Sequence, residues 1–578
     1  MPAQKPKVEN GKYDIYPAYH SGIGKIHRDI KTLAEVIAGK KIVLIDGFSG
    51  VDFDLLKNEL NSILTDEYSI STNWIDCAGF LKSGEEINEM VSPFLGGDDP
   101  LFGTRTTLSL SDFFNIDSGY INGMNGMPGQ TVIIYGVGAA LFSGEGFLIY
   151  FDLPKNELQH RARAGSATNL GASLPFDDKA MYKRFYFVDW VMLGKHKRDI
   201  LPRINILADG QRTEDITWID GYDFRETLHE MSRNVLRTRP WFEPGAWGGN
   251  WIKENIPGVN KDVVNYAWSF ELIAPENGLI IESSGIMLEF SFDFLMFQEA
   301  ESVLGDCFER FRTEFPIRFD FLDTFNGGNL SIQCHPRPGY MKEHFGEGFT
   351  QEEAYYIIDS KDNAHVYLGF REDIEKEKFR SSLEGSIINK HPLDIDGFVQ
   401  SHPCKKHDLF LIPYGTIHGS GKNNLVLEIS STPYIFTFKL YDWLRPDLDG
   451  NPRTLNIARG MDNLYFDRKG KRVIDELISK PGLMAEGTDW QLFHLATHPD
   501  HLYDVCRYHF MTQIEIPTTG KCHVLNLVEG NSIVVITENG RQTRFSYTET
   551  FFVPASAKSY RVINESENQA ILLLAFVK

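Results

Sequence analysis

From about Lys41 to Glu230 the sequence alternates strand-like runs with helical ones, and past about Arg237 that alternation stops. Before the change stand KIVLIDGFSG followed by DFDLLKNELNSIL, then QTVIIYGVG, then GFLIYFDLP followed by KNELQHRARAG. A strand that feeds a helix and then another strand winds a mostly parallel sheet with helices on its faces. After the change come LSIQCHP, AYYIID, AHVYLGF, DLFLIPYGTIHGSG and NLVLEIS, short β-rich runs broken by Gly, Pro and Asn. Closely spaced short strands of this kind predict a barrel or sandwich. HVLNLVEGNSIVVITENG, TETFFVPASAKSYRV and QAILLLAFV repeat the texture near the carboxy terminus. The expected organisation is therefore a doubly wound α/β domain over 1–235, a β-barrel over 236–485 and a second barrel over 486–578. At roughly 150 residues per domain, 578 residues accommodate three such units.

Composition removes several function classes. With 42% hydrophobic and 24% charged residues the chain has the make-up of a globular protein. A net charge of −21 would repel a phosphate backbone, so nucleic acid is not an expected partner. The six cysteines (Cys77, Cys307, Cys334, Cys404, Cys506, Cys522) form no C-x-x-C pair and read as reduced thiols. MPAQKPKVENGKYD lacks the apolar core of a signal peptide. The strongly apolar run Ala570 to Val577 is far shorter than the roughly 20 residues that span a bilayer, and is expected to be a buried last strand. A cytoplasmic protein with no membrane partner is the expectation.

The strand-turn-helix KIVLIDGFSGVDFDLL occupies the place of a phosphate-cradling loop, G-x-x-x-x-G-K-[ST]. Framed from Gly47, the second glycine falls on Asp52, the lysine on Phe53 and the hydroxyl residue on Asp54. Two carboxylates and a phenyl ring thus replace the groups that hold phosphate and magnesium. Residues 40–230 nevertheless resemble the uridine-kinase-like branch of P-loop kinases, with VIIYGVGAALF where that family has a strand carrying an acidic residue and Tyr135 at the acidic position. The resemblance implies a retained fold serving as scaffold or interaction surface, without functional ATP binding.

In Ser331-Ile332-Gln333-Cys334-His335-Pro336 the alternation of a strand puts Gln333 and His335 on one face, about 7 Å apart. Glu353, 18 residues beyond His335, opens the strand AYYIID, and His418 ends DLFLIPYGTIHGSG at a glycine-rich turn. Two imidazole nitrogens with amide and carboxylate oxygens suit zinc and leave room for a substrate oxygen; manganese or cobalt would also be accepted.

The stretch from PWFEPGAWGGNWIKE through LSIQCHP, TQEEAYYIID, FLIPYGTIHGSGKNNLVLEIS and KLYDWLRPDLDGNPRTLNI resembles class I mannose-6-phosphate isomerase, a cupin-fold family, over about residues 236–578. The resemblance implies that Gln333, His335, Glu353 and His418 are metal ligands, and that Ser331 lies near the substrate phosphate. It further implies that Lys439 stands at an active-site arginine position, with Arg445, six residues on, as phosphate anchor and active-site cation. The implied substrate is an open-chain sugar phosphate. Mannose 6-phosphate and fructose 6-phosphate would interconvert through a cis-enediol.

The pattern departs from the family at three places. Arginine is replaced by Lys439, and two positions where lysine is common fall on Gly328 and Gln351. Lys342 is an additional cation after His335. FFVPASAKSYRV in the second barrel has no histidine at its turn, so that barrel is expected to be metal-free and structural despite His509 and His523. Two alternatives stay open beside the isomerase: a non-catalytic sugar or sugar-phosphate sensor, and an isomerase of a different sugar. The sequence does not reveal the oligomeric state.

Overall fold

A computed structural model describes residues 1–116 and 130–578. It divides into two compact units with discontinuous boundaries. One comprises Met1–Lys7, Tyr16–Met231 and Pro275–Glu299; the other comprises Val8–Ile15, Ser232–Ala274 and Ala300–Lys578. The three-way division expected near residues 235 and 485 differs from this grouping in two respects. The segment Pro275–Glu299, expected in the first barrel, belongs to the α/β unit, and both barrel-like halves fall within one unit.

The first unit is built on a seven-stranded sheet. In spatial order its strands are Ile26–Arg28, Thr217–Asp220, Ile206–Asp209, Phe147–Asp152, Ile42–Gly47, Gln130–Tyr135 and Ser71–Asp76. The five from Ile206–Asp209 to Ser71–Asp76 pair in parallel, and the remaining two join antiparallel. The helices Phe53–Asp66 and Lys155–Arg163 follow their strands as the alternation predicts. From Ile42–Gly47 the chain passes to the far edge, returns to Gln130–Tyr135 and then crosses to Phe147–Asp152. The winding therefore reverses at Ile42–Gly47, and the crevice beyond such a reversal is where open α/β sheets collect ligands. A cavity of about 650 Å³ lies there, lined in part by Gly50, Asp52, Asp54, Asp76, Tyr135 and Arg161.

The second unit carries two pairs of sheets. The first pair has a six-stranded sheet, in the order Leu409–Ile412, Glu353–Ser360, Asn424–Ser431, Ile317–Asp323, Trp268–Leu272 and Trp241–Glu243. Its five-stranded partner runs Val399–Pro403, His365–Phe370, His418–Ser420, Ile332–Cys334 and Phe438–Tyr441. The second pair, of six and four strands, begins at Pro481–Glu486 and encloses a core that includes Phe510, Leu525, Val535, Phe551, Tyr560 and Leu572. Its last strand is Ala570–Val577, almost wholly buried, as its apolar run requires. No helix among the described residues is long and apolar enough to cross a membrane.

DLFLIPYGTIHGSG is two strands rather than one. Leu409–Ile412 lies in the six-stranded sheet and His418–Ser420 in the five-stranded sheet, so His418 opens a strand instead of ending one. The chain changes sheets at the intervening Pro-Tyr-Gly turn. Gly415 has a φ of +73°, and a Cβ there would come within 2.7 Å of the Asn463 carbonyl oxygen.

Candidate metal centre

The sheet switch brings ligands together from both walls. Glu353 opens a strand of the six-stranded sheet, whereas Gln333 and His418 are direct partners on neighbouring strands of the five-stranded sheet. Residues opposite one another on antiparallel strands share a face, so the amide and the imidazole point the same way. His335 follows the end of the Gln333 strand.

The distances are those of a closed cluster. His335 Nε2 lies 2.9 Å from Glu353 Oε1, His418 Nε2 lies 3.3 Å from Glu353 Oε2, and Gln333 Nε2 lies 3.3 Å from His418 Nε2. His335 and His418 are fully buried, and Gln333 and Glu353 nearly so. Each ring is fixed from behind: His335 Nδ1 donates to the Phe436 carbonyl at 3.0 Å, and His418 Nδ1 donates to the Thr416 carbonyl at 2.9 Å. A carbonyl can only accept, so each Nδ1 carries a proton and Nε2 is the nitrogen left to face the carboxylate or a metal. Burial pushes the Glu353 carboxyl up, but the two imidazoles, His335 foremost, outweigh it and hold the group well below the usual range. Burial pulls His418 down, and Glu353 offsets that only in part.

This arrangement fits a cation. His335 Nε2 and Glu353 Oε2 are buried without a hydrogen bond of good geometry, and one ligand atom from each of His335, Glu353 and His418 lies within 4.8 Å of the others. Buried polar atoms left in this state are costly unless something completes them. Among the described residues, these three are the group of His, Cys, Asp or Glu able to hold a metal ion.

The remaining expected site residues fall around this cluster. Lys439 is the partner of Gln333 on its other side, making a row of His418, Gln333 and Lys439 across three strands. Ser331, two residues before Gln333, is buried and its hydroxyl has no hydrogen-bond partner. Arg445 donates to the Asn329 carbonyl at 2.8 Å and pairs with Asp442. Lys342 is exposed on the helix Pro338–Phe345. In the first unit, Gly47 donates its amide to Asp46, Asp52 caps the helix Phe53–Asp66 by accepting from Leu55, and Asp52, Phe53 and Asp54 line the cavity there.

Other groups stand at the two positions where the resemblance implies lysine. A Cβ on Gly328 would meet Arg445 Nη1 at 2.6 Å, so the guanidinium fills the room a side chain at 328 would enter. Gln351 Nε2 donates to Glu353 Oε1 at 2.5 Å, which orients the carboxylate. Sequence reasoning passed over Arg318, which is buried, pairs with Glu428 and Asp320, and lies 3.9 Å from Glu353. Its signal is the alternation in IRFDFLD, which places Arg318 and Asp320 on one face of a buried strand.

YvyI of Bacillus subtilis (strain 168), named "Putative mannose-6-phosphate isomerase", is 30% identical over 239 residues, 40% of this chain and 68% of the relative. The chain belongs to the mannose-6-phosphate isomerase family. GmuF of the same organism, named "Probable mannose-6-phosphate isomerase", is 34% identical over 148 residues, and the mannose-6-phosphate isomerase of Streptococcus mutans is 28% identical over 223. These matches take in 26% and 38% of this chain, and the chain spans 44% and 65% of the two relatives' lengths. The crystal structure of the Bacillus subtilis mannose 6-phosphate isomerase aligns with a TM-score of 0.47 at 19% identity, covering 59% of this chain and 99% of that one. Residues 29–233 match a family described as a domain of unknown function, DUF8485.

Proposed function

We propose that this member of the mannose-6-phosphate isomerase family is a metal-dependent aldose-ketose isomerase that interconverts mannose 6-phosphate and fructose 6-phosphate. The observation that carries the reading is the convergence of His335 Nε2 and His418 Nε2 on the Glu353 carboxylate, with Gln333 alongside. In this reading residues 236–485, apart from Pro275–Glu299, form a metal-binding cupin and 486–578 a second, metal-free cupin. Residues 1–235 form a degenerate P-loop kinase-like domain without ATP binding. A cytoplasmic location accords with the free cysteines.

Gln333, His335, Glu353 and His418 would hold the ion, and the two-nitrogen, two-oxygen donor set favours zinc. When bound, it supplies Lewis-acid polarisation of the sugar carbonyl. The protein's own part is positional. The backbone carbonyls of Phe436 and Thr416 keep both imidazoles in one tautomer, and burial excludes bulk water from the reacting carbons. Lys439, the strand partner of Gln333, would do electrostatic or proton-handling work near C1 and C2 as one proton moves between them through the cis-enediol. Arg445 anchors the phosphate, which the overall charge of −21 would otherwise repel.

Incubation with mannose 6-phosphate in deuterated water, followed by NMR, tests the reading: conversion with deuterium at C2 or C1 is expected. Arg445→Ala is expected to raise KM more than it lowers kcat. A non-catalytic sugar-phosphate sensor is the second reading, favoured by glycine at 328 and glutamine at 351 where the family resemblance implies lysines. Metal-loaded protein that gives neither conversion nor exchange would establish it over the first.

A further inference from the structure

Resting on that isomerase reading, we infer that Arg453 is a second phosphate-binding residue. Together with Arg445 it forms a two-guanidinium clamp mounted on the buried Asp442 carboxylate. Arg445 Nη2 pairs with Asp442 Oδ1 and Arg453 Nη1 pairs with Asp442 Oδ2, so one carboxylate holds both forks. Asp442 is 3% exposed while the two guanidinium side chains are 20% and 12% exposed. The carboxylate is therefore the inner member of the group and the cations are the outer ones.

Chain connectivity ties this group to the strands of the metal centre. Tyr441 is the partner of Ile332 and Lys439 the partner of Gln333, with one extra residue between. Asp442 follows Tyr441 directly, and Arg445 donates to the Asn329 carbonyl, two residues before Ser331, so both guanidinium groups hang from the chain segments that lead into this strand pair. The buried Ser331 hydroxyl, without a hydrogen-bond partner, stands on the same approach, two residues before Gln333. Ser331 and Gln333 are about 7 Å apart along the strand, a span suited to an extended six-carbon sugar with its carbonyl at the metal and its phosphate at the arginines.

Charge and geometry identify the ligand class. Two guanidinium groups against one carboxylate leave one positive charge, and each guanidinium has five donors of which Asp442 and the Asn329 carbonyl engage only a part. Planar forks of this kind match the oxygens of a phosphate dianion in bidentate fashion. The missing lysine at 328 follows from the same packing. Arg445 occupies that space, and Arg453 supplies the second cation from the other side of Asp442.

The test uses the metal-loaded full chain, wild type against Arg453→Gln and Arg453→Met, with inorganic phosphate as binding probe and mannose 6-phosphate as substrate. Each variant is expected to raise the phosphate dissociation constant and the KM together by about ten- to a hundredfold, the loss of one charge-assisted contact. Metal content and kcat should stay close to wild type, while the melting midpoint falls by no more than the loss of one of the two Asp442 pairs allows. Unchanged phosphate affinity in a folded variant, or a wild type that binds no phosphate, overturns the clamp even if isomerisation is found. Phosphate binding that depends on Arg453 in a protein that does not isomerise upholds the clamp while removing the isomerase reading. Should one variant lose its fold, the other carries the comparison.

Discussion

Each unit buries an acid beside a histidine, and the two do opposite things with the pair. In the α/β unit, Asp46 accepts from the amides of Gly47, Gly138 and Ala140 at 2.7–2.9 Å and lies 2.8 Å from His196 Nε2. Asp152 is closed in the same way by Lys197 and by the amide and hydroxyl of Ser291, and Asp209 by Arg212 and the Gln211 amide. Three carboxylates at the ends of adjacent parallel strands therefore have their partners within the unit. In the barrel unit, Glu353 has two imidazoles turned toward it with their Nδ1 atoms already committed, so each Nε2 converges on the carboxylate. A satisfied acid stabilises a fold; an acid on which two imidazoles converge is placed to share a cation with them.

Removing the open acid should have the largest effect. Glu353→Gln is expected to lose the metal and lower kcat by about a hundredfold or more, read by elemental analysis and steady-state kinetics on the same preparation. Removing the closed one should cost stability instead. Asp46→Ala leaves three amides and His196 without their acceptor and is expected to cost about 3–5 kcal/mol, seen as faster amide exchange along Ile42–Gly47 and Phe147–Asp152.

A third change tests a closed acid within the barrel unit. Asp323 accepts from the amides of Ile252 and Phe325, and burial pushes its carboxyl up to about 7 despite those bonds. The folded state therefore binds this proton more tightly than the unfolded chain. Stability from this group is full below about pH 4 and falls as pH rises through 7. The difference in melting midpoint between wild type and Asp323→Asn should shift over that window, and a difference independent of pH would remove the assignment. The smallest effect is expected at Asp52. Its replacement by Ala costs the helix Phe53–Asp66 one cap, about 1 kcal/mol, and calorimetry with ATP and magnesium should show no binding heat before or after the change.

Both parts of this comparison were only partly legible in the sequence. Periodicity placed the strands Ile42–Gly47 and Gln130–Tyr135 and the helices that follow, because alternation and helical spacing are local properties. The Asp-Gly of Asp46 and Gly47 reads as an ordinary turn, and its partners Gly138, Ala140 and His196 lie 92 to 150 residues away, where no local pattern points. At the metal centre the order of Gln333, His335, Glu353 and His418 is visible, yet which wall each stands on is not. DLFLIPYGTIHGSG reads as one continuous strand because all of it is apolar enough to be buried. The turn at Gly415 sends its two ends to different sheets for tertiary reasons. Segment Pro275–Glu299 illustrates the same limit: its strands have barrel texture, but Gly278–Ser283 pairs with Ala18–His20 in the first unit. Arg453 escaped notice because its importance comes from sharing Asp442 with Arg445, a contact that spans a loop.

The central claim, that the barrel cluster binds a metal and uses it on a sugar phosphate, is tested most directly by one proton NMR time course. Protein analysed for bound metal is mixed with mannose 6-phosphate in deuterated water, with a chelator-treated sample beside it. The account predicts conversion to fructose 6-phosphate with solvent deuterium incorporated, abolished by the chelator and restored by zinc. Metal-loaded protein that leaves the sugar unconverted and free of deuterium would contradict it.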